Sequence, residues 1–182
     1  MHTEHLYLRP FVLEDAQAYW PLVSLPQVQR YTGEQPRTSL DAVRETLLSR
    51  PIKDYSVYGF GRMACIETSS GRLVGFSGLK YLDDLCEVDI GFRFLPDCWG
   101  KGYATESAQA LIREESHRHG IKRIIGLVQP ENVASARVLQ KLGLVWESKV
   151  RPHGCVSDLD LYATPGTGPD HSFKPKPLCG LV

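Results

Sequence analysis

The run Asp97-Cys98-Trp99-Gly100-Lys101-Gly102-Tyr103-Ala104-Thr105-Glu106 constrains this chain more than any other segment, because it joins two patterns of different period. Before it, Cys86–Leu95 alternates. Val88, Ile90, Phe92 and Phe94 fall on one side, and Glu87, Asp89, Gly91 and Arg93 on the other, the period of two of a β-strand. After it, Ala104 to about His119 carries Ala108, Leu111, Ile112 and Glu115 at helical spacing, and Gly120 fits the residue just past a helix end. A strand that runs through such a loop into a helix presents the helix's first N–H groups, which lack intrahelical partners. Gly100 and Gly102 let the backbone curl and approach a ligand closely. Those donors and the helix dipole suit an anion, above all a pyrophosphate. Thr105 adds a hydroxyl and Lys101 a positive charge. The loop is not a P-loop, since no Gly-x-x-x-x-Gly-Lys-Ser/Thr is present. It is a poor dinucleotide fingerprint, since Thr105 stands where the third glycine belongs. Loop and helix alone leave a plain glycine-rich turn as the alternative.

The remaining elements follow from the same signals. Leu6–Arg9 reads as a first strand stopped by Pro10, and Leu13–Ala16 opens a helix that ends near Pro21–Pro26. Ser39 or Asp41 caps a second helix to about Arg50. Val57–Ile66 and Leu73–Leu79 read as strands around the turn Ser69–Arg72, and Asp83-Asp84 turns the chain into Cys86–Leu95. Ile124–Val128 is a short buried strand, and Asn132 caps a helix through about Leu142. Leu144–Val150 and Val156–Ala163 form a last hairpin through Pro152-His153-Gly154. The order is strand, helix, helix, three antiparallel strands, helix, strand, helix, two strands. It predicts an α+β domain over residues 1–163, with the strands flanking the Ala104–His119 helix as parallel neighbours of a right-handed crossover. Thr164–Val182 loses all periodicity and reads as a Pro/Gly-rich tail.

Composition removes several classes of function. The 21 basic and 21 acidic residues balance, so the basic excess of a nucleic-acid binder is missing. No stretch reaches the roughly 18 apolar residues of a membrane span. The five cysteines (Cys65, Cys86, Cys98, Cys155 and Cys179) form no Cys-x-x-Cys pair and no zinc-type cluster. The start Met1-His2-Thr3-Glu4-His5 lacks a signal-peptide pattern. The expectation is a cytoplasmic protein with free thiols, no metal, and either a monomeric or a homodimeric state.

Trp99-Gly100-Lys101-Gly102-Tyr103-Ala104 resembles the pyrophosphate loop of the GNAT superfamily of N-acetyltransferases, Gln/Arg-x-x-Gly-x-Gly/Ala, with Trp99 in place of Gln/Arg. Trp-Gly-Lys-Gly-Tyr-Ala-Thr-Glu is similar to the branch that acts on the N-termini of ribosomal proteins. A second block agrees: Asn132-Val133-Ala134-Ser135 leads to Lys141-Leu142-Gly143-Leu144, with Leu144 where that branch has Phe. The resemblance spans about residues 4 to 163 and implies a mixed, mostly antiparallel, twisted sheet of about seven strands. Helices would lie on both faces, with a splayed parallel pair at the centre.

It also implies a site. Acetyl-coenzyme A would pair its pantetheine arm with the backbone of Phe92, Arg93 and Phe94. Its pyrophosphate would lie on Trp99, Gly100, Lys101, Gly102, Tyr103, Ala104 and Thr105, with Asn132 and Ser135 opposite. The general base matches Asp89, with Glu87 on the same face. The Tyr that many members use to protonate the leaving thiolate is Leu139 here, so Ser135 or water takes that role. The acceptor, a small amine or a protein N-terminus, would meet the first two helices and the last hairpin, where Trp20, Tyr31, Arg151, His153 and Asp158 are candidates. A sensor that binds acyl-coenzyme A without turnover and an unrelated nucleotide-binding domain are the alternatives.

Overall fold

The computed structural model describes residues 1–169, 173 and 175. Seven strands pair into one sheet: β1 (Leu6–Pro10), β2 (Arg62–Glu67), β3 (Leu73–Leu82), β4 (Glu87–Phe94), β5 (Ile125–Val128), β6 (Val145–Val150) and β7 (Leu159–Ala163). Their order across the sheet is β1-β2-β3-β4-β5-β7-β6, and only β4 and β5 run parallel. That is the parallel pair expected of a crossover, since α5 (Tyr103–His119) connects them, below in chain order to four earlier helices. Those are α1 (Ala16–Ser24), α2 (Pro26–Gln29), α3 (Leu40–Leu47) and α4 (Lys53–Tyr58), and α6 (Val133–Lys141) follows β5.

Separate cores lie on the two faces of the sheet. Phe11, Tyr19, Leu22, Val43 and Leu47 pack with Ala64 and Phe76 under α1 and α3. Val88, Ile90, Ala108, Ile124, Leu139 and Tyr162 pack under α5 and α6. Each large side chain so buried contributes about 1.5–3 kcal/mol. β4 lies between these layers, which is why its "polar" side is also covered: Glu87 and Asp89 are as buried as the apolar residues beside them.

One expected boundary is wrong. The helix opened by Ser39, whose hydroxyl accepts from the Ala42 N–H at 3.2 Å, does not stop near Arg50. It widens into a π-helical turn at Leu48–Ile52, which holds Pro51, and continues as α4. Proline supplies no N–H, and a wider turn accommodates the missing bond. Val57 and Tyr58, read as strand, therefore end a helix, and β2 begins at Arg62.

Arg123, just before β5, is 4% exposed. Its Nε donates to Glu87 Oε1 at 2.8 Å, its Nη2 to Glu147 Oε1 at 2.8 Å and its Nη1 to the Thr167 carbonyl at 2.6 Å. Thr164 exchanges backbone and hydroxyl bonds with Ile124. The first residues after β7 are thus fastened to the sheet, and Phe173 packs beside Tyr81 with ring centroids 6.3 Å apart. Most of the segment read as a tail lies outside the described residues.

Removing the Arg123 side chain strands the buried Glu87 charge. Arg123→Ala should lower unfolding stability by about 3–5 kcal/mol, the usual cost of breaking a buried ion pair. Glu147, whose side chain is 42% exposed, should matter far less. Denaturant unfolding of Arg123→Ala and Glu147→Ala checks both.

Candidate active site

β4 and β5 meet at one residue pair, Asp89 against Ile125, and then part. Strands that part inside a covered sheet leave backbone groups without ladder partners. Asp89 meets part of that need: its Oδ1 accepts from the Leu127 N–H at 3.3 Å, across the opening. Its Oδ2 accepts from Arg62 Nη2 at 2.5 Å. The Arg62 guanidinium also donates to the Gly78 and Asp89 carbonyls. To reach Asp89 it passes over Gly91, where a Cβ would collide with all three guanidinium nitrogen and carbon positions nearest it. Gly91 is therefore the gap in β4 that admits Arg62. Burial pushes the Asp89 carboxyl above its ordinary range, while Arg62 and the Leu127 N–H pull against that shift.

Above the opening, Phe94 ends β4 and its carbonyl accepts from Trp99 Nε1 at 2.8 Å. The indole is thus a strut for the loop, and its ring remains half exposed. Gly100 and Gly102 have φ of 77° and 86°, values that require glycine, and a Cβ at either would point into open space. Gly102 is the N-cap of α5 and supplies no side chain to cap it. The first intrahelical bond runs from the Glu106 N–H to the Gly102 carbonyl, so the Tyr103, Ala104 and Thr105 N–H groups make no backbone bond among the described residues. A groove of about 660 Å³ adjoins them, lined in part by Thr105, Gln109, Arg113 and Lys141.

Other candidates have partners that limit them. Lys101 lies 3.7 Å from Glu67, which also accepts from the Tyr103 hydroxyl at 2.8 Å. That hydroxyl is held protonated, its pKa raised to about 12 chiefly by the bond to Glu67. Asn132 Oδ1 accepts from the Ser135 N–H at 3.2 Å, so it caps α6. Phe92 and Phe94 pack into the core beneath α5. Leu139 is buried against Gly126, which confirms that no hydroxyl stands at this place.

The Arg93 side chain points to the α1 face. It donates to the Leu22 carbonyl at 3.1 Å and to Glu34 Oε2 at 3.2 Å, and it lies over the Phe76 ring. Glu34 also pairs with Arg50. Burial raises the Glu34 carboxyl, but Arg93 and Arg50 together outweigh it and hold the group below the usual glutamate range. Trp20 donates its indole N–H to the Arg37 carbonyl at 3.0 Å, and Tyr31 lies under the Arg30 guanidinium. His153 is exposed, with only its backbone N–H bound, to Asp84 at 2.9 Å. Arg151 and Asp158 pair with each other at 2.8 Å.

Glu87 and Asp89 share a face of β4 but have different partners. Glu87 is engaged by Arg123, just before β5, while Asp89 stands where the strands part. Sequence reading also missed Arg62 and Glu34. Arg62 is a lone charge at the start of an apolar run and Glu34 lies in a polar loop, and nothing local names the partner of either.

Comparison with known proteins gives the family and the fold. An acetyltransferase (GNAT) domain model matches residues 5–145. An uncharacterized N-acetyltransferase, p20, from Bacillus licheniformis is 30% identical over 155 residues, 84% of this chain and 86% of its own length. The crystal structure of a GNAT-family acetyltransferase from Bacillus anthracis superimposes with a TM-score of 0.72 at 28% identity, over 90% of this chain and 95% of that one. The ribosomal L7/L12 α-N-protein acetyltransferase RimL, in complex with coenzyme A, shares the fold with a TM-score of 0.73 at 20% identity, over 88% and 94% of the two chains.

Because its folded-state pKa is depressed, Glu34 adds stability above its unfolded pKa, and that stability is lost as pH falls through the folded value. Glu34→Gln should therefore unfold at a lower temperature than wild type near pH 7. The gap should close toward pH 3. Thermal unfolding across this range checks it.

Proposed function

The chain belongs to the GNAT acetyltransferase family, and from that premise we propose that it transfers the acetyl group of acetyl-coenzyme A to a primary amine, directly within a ternary complex. The observation that carries this reading is the parting of β4 and β5 beside a helix N-terminus with three unengaged N–H groups. The residues present fit the cofactor. The loop from Trp99 to Thr105 offers donors and a positive helix end to a pyrophosphate. Along Phe92, Arg93 and Phe94 the β4 edge offers Phe92 backbone groups and the Phe94 N–H to an extended arm, the Phe94 carbonyl being held by Trp99, and Asn132 retains its amide N–H groups. Thr105, Arg113 and Lys141 line the groove that suits the nucleotide end.

Acetyl-coenzyme A, when bound, supplies a thioester carbonyl for the amine to attack. The protein's part is to position, to accept a proton and to exclude water. Asp89 is the proton acceptor in this reading, working through a water because it is short and held by Arg62. Burial supports it by raising the carboxyl's proton affinity. A backbone N–H of parted β4 stabilises the developing oxyanion. With Leu139 in the core, Ser135 or water supplies the proton to the departing thiolate. The Trp-Gly-Lys-Gly-Tyr-Ala-Thr-Glu run supports placing the chain in the branch that acetylates ribosomal-protein N-termini. Small amines remain acceptors of the same chemistry.

Acetyl-coenzyme A at 100 times its dissociation constant should stabilise the fold by about 2.7 kcal/mol, and ATP or NAD should not. Differential scanning fluorimetry reads this, and no shift with any coenzyme A derivative would sink the proposal. Asp89→Asn should keep the shift but lose about 10²–10⁴ in kcat. A loss below tenfold, followed by free-thiol release, would assign the rate to positioning instead.

A further inference from the structure

The charges on the α1 side of the parted strands are not balanced. Glu34 is the carboxylate of the loop between α2 and α3, and it is already held by two guanidinium groups, those of Arg50 and Arg93. Asp89, the carboxylate of β4 on this side, is held by Arg62. Arg37, in the same loop as Glu34, has only neutral acceptors among the described residues. Its Nε donates to Thr46 Oγ1 at 2.9 Å and its Nη1 to the Gln35 carbonyl at 3.2 Å. Thr46 precedes Arg50 by four residues on the same continuous helix, and Arg37 and Arg93 bind the adjacent Val23 and Leu22 carbonyls, so Arg37, Arg50, Arg93 and Glu34 form one cluster. Three positive charges therefore face one negative charge.

The cluster is also fixed. The Arg37 N–H donates to the Val23 carbonyl at 2.8 Å, and its carbonyl accepts from Trp20, so the loop is tied to α1 through its backbone. The Arg37 side chain is not needed for that tie. Arg93 links the cluster to the stretch of β4 that has left β5.

We infer that the acceptor amine is accompanied by a carboxylate, and that the Arg37 guanidinium receives it. This rests on the reading of the chain as an N-acetyltransferase and narrows its acceptor. A planar guanidinium with free donors matches a carboxylate in a way that an ammonium group cannot. An acceptor carrying further positive charge, such as a polyamine, would meet the excess of arginines and find Glu34 and Asp89 already paired. The carboxylate has two sources: the free α-carboxyl of an amino acid, or an acidic side chain near the N-terminus of a peptide.

The test is turnover, read as thiol release with saturating acetyl-coenzyme A, on acceptors that differ only in that charge. One arm compares amino acids with their carboxamides. A second compares peptides bearing Glu or Asp at the second and third positions with their Gln or Asn counterparts, and spermidine is added as a cation. The carboxylate member of a pair should be preferred by about tenfold in kcat/KM, the low end for a charge-assisted hydrogen bond. Arg37→Gln should bring that ratio close to one, and Arg37→Lys should restore part of it. The arm that shows the ratio names the source. Equal use of both members, a preference for spermidine, or no turnover of any carboxylate acceptor would overturn the inference. Stabilisation by acetyl-coenzyme A separates that failure from failure of the acetyltransferase reading itself. A ratio that persists in Arg37→Gln would assign the preference to another residue and overturn the role of Arg37.

Discussion

A β-sheet covered on both faces cannot part without finding partners for the backbone groups it frees, and this fold meets part of that constraint with one carboxylate. Asp89 is the last β4 residue in register with β5, and it spans the parting to the Leu127 N–H while Arg62 holds its other oxygen. Arg62 in turn binds the Gly78 carbonyl, so β2, β3, β4 and β5 all converge on two side chains. Gly91 is the reason the guanidinium fits. The same parting creates the opening that the proposed cofactor would occupy, so the device that stabilises the sheet and the device that shapes the site are one.

Buried charge elsewhere follows the same logic. Arg123 gathers Glu87, Glu147 and Thr167, joining β4, β6 and the residues after β7. Arg93 gathers Leu22 and Glu34, joining β4 to α1 and the loop before α3. Such groups stabilise little beyond what an apolar core would, because desolvation offsets their attraction. Each, however, ties together elements distant in the chain. Three of the charged residues of β4, namely Glu87, Asp89 and Arg93, are used in this way, each with a different partner region.

Legibility in the sequence tracked locality. The loop from Trp99 to Thr105 and the cap at Asn132 were readable because glycine conformation and capping are properties of a few adjacent residues. The strand alternation of β4 was readable too, but not the burial of its mixed second face. Its burial depends on β2 and α1, which lie outside any local window. The helix through Pro51 was misread because proline punctuates the sequence, whereas packing carried the helix on through a π turn. Trp99 was seen as a departure from a family pattern. Only the coordinates show its indole N–H on the Phe94 carbonyl, a contact five residues back around the loop.

By itself, then, the sequence determined the order of elements, the parallel pair implied by a crossover helix, and a glycine-rich loop at Trp99–Thr105 that opens a helix. These follow from backbone preferences and periodicity, which act within a few residues. Tertiary structure alone decided what the charged side chains do. Asp89 and Glu87 look alike in the strand, two residues apart. One spans the parting to the Leu127 N–H and the other does not, because Arg62 arrives from β2 and Arg123 from the approach to β5. Electrostatic partners are chosen by proximity in space, and for buried groups that choice fixes what the side chain holds together.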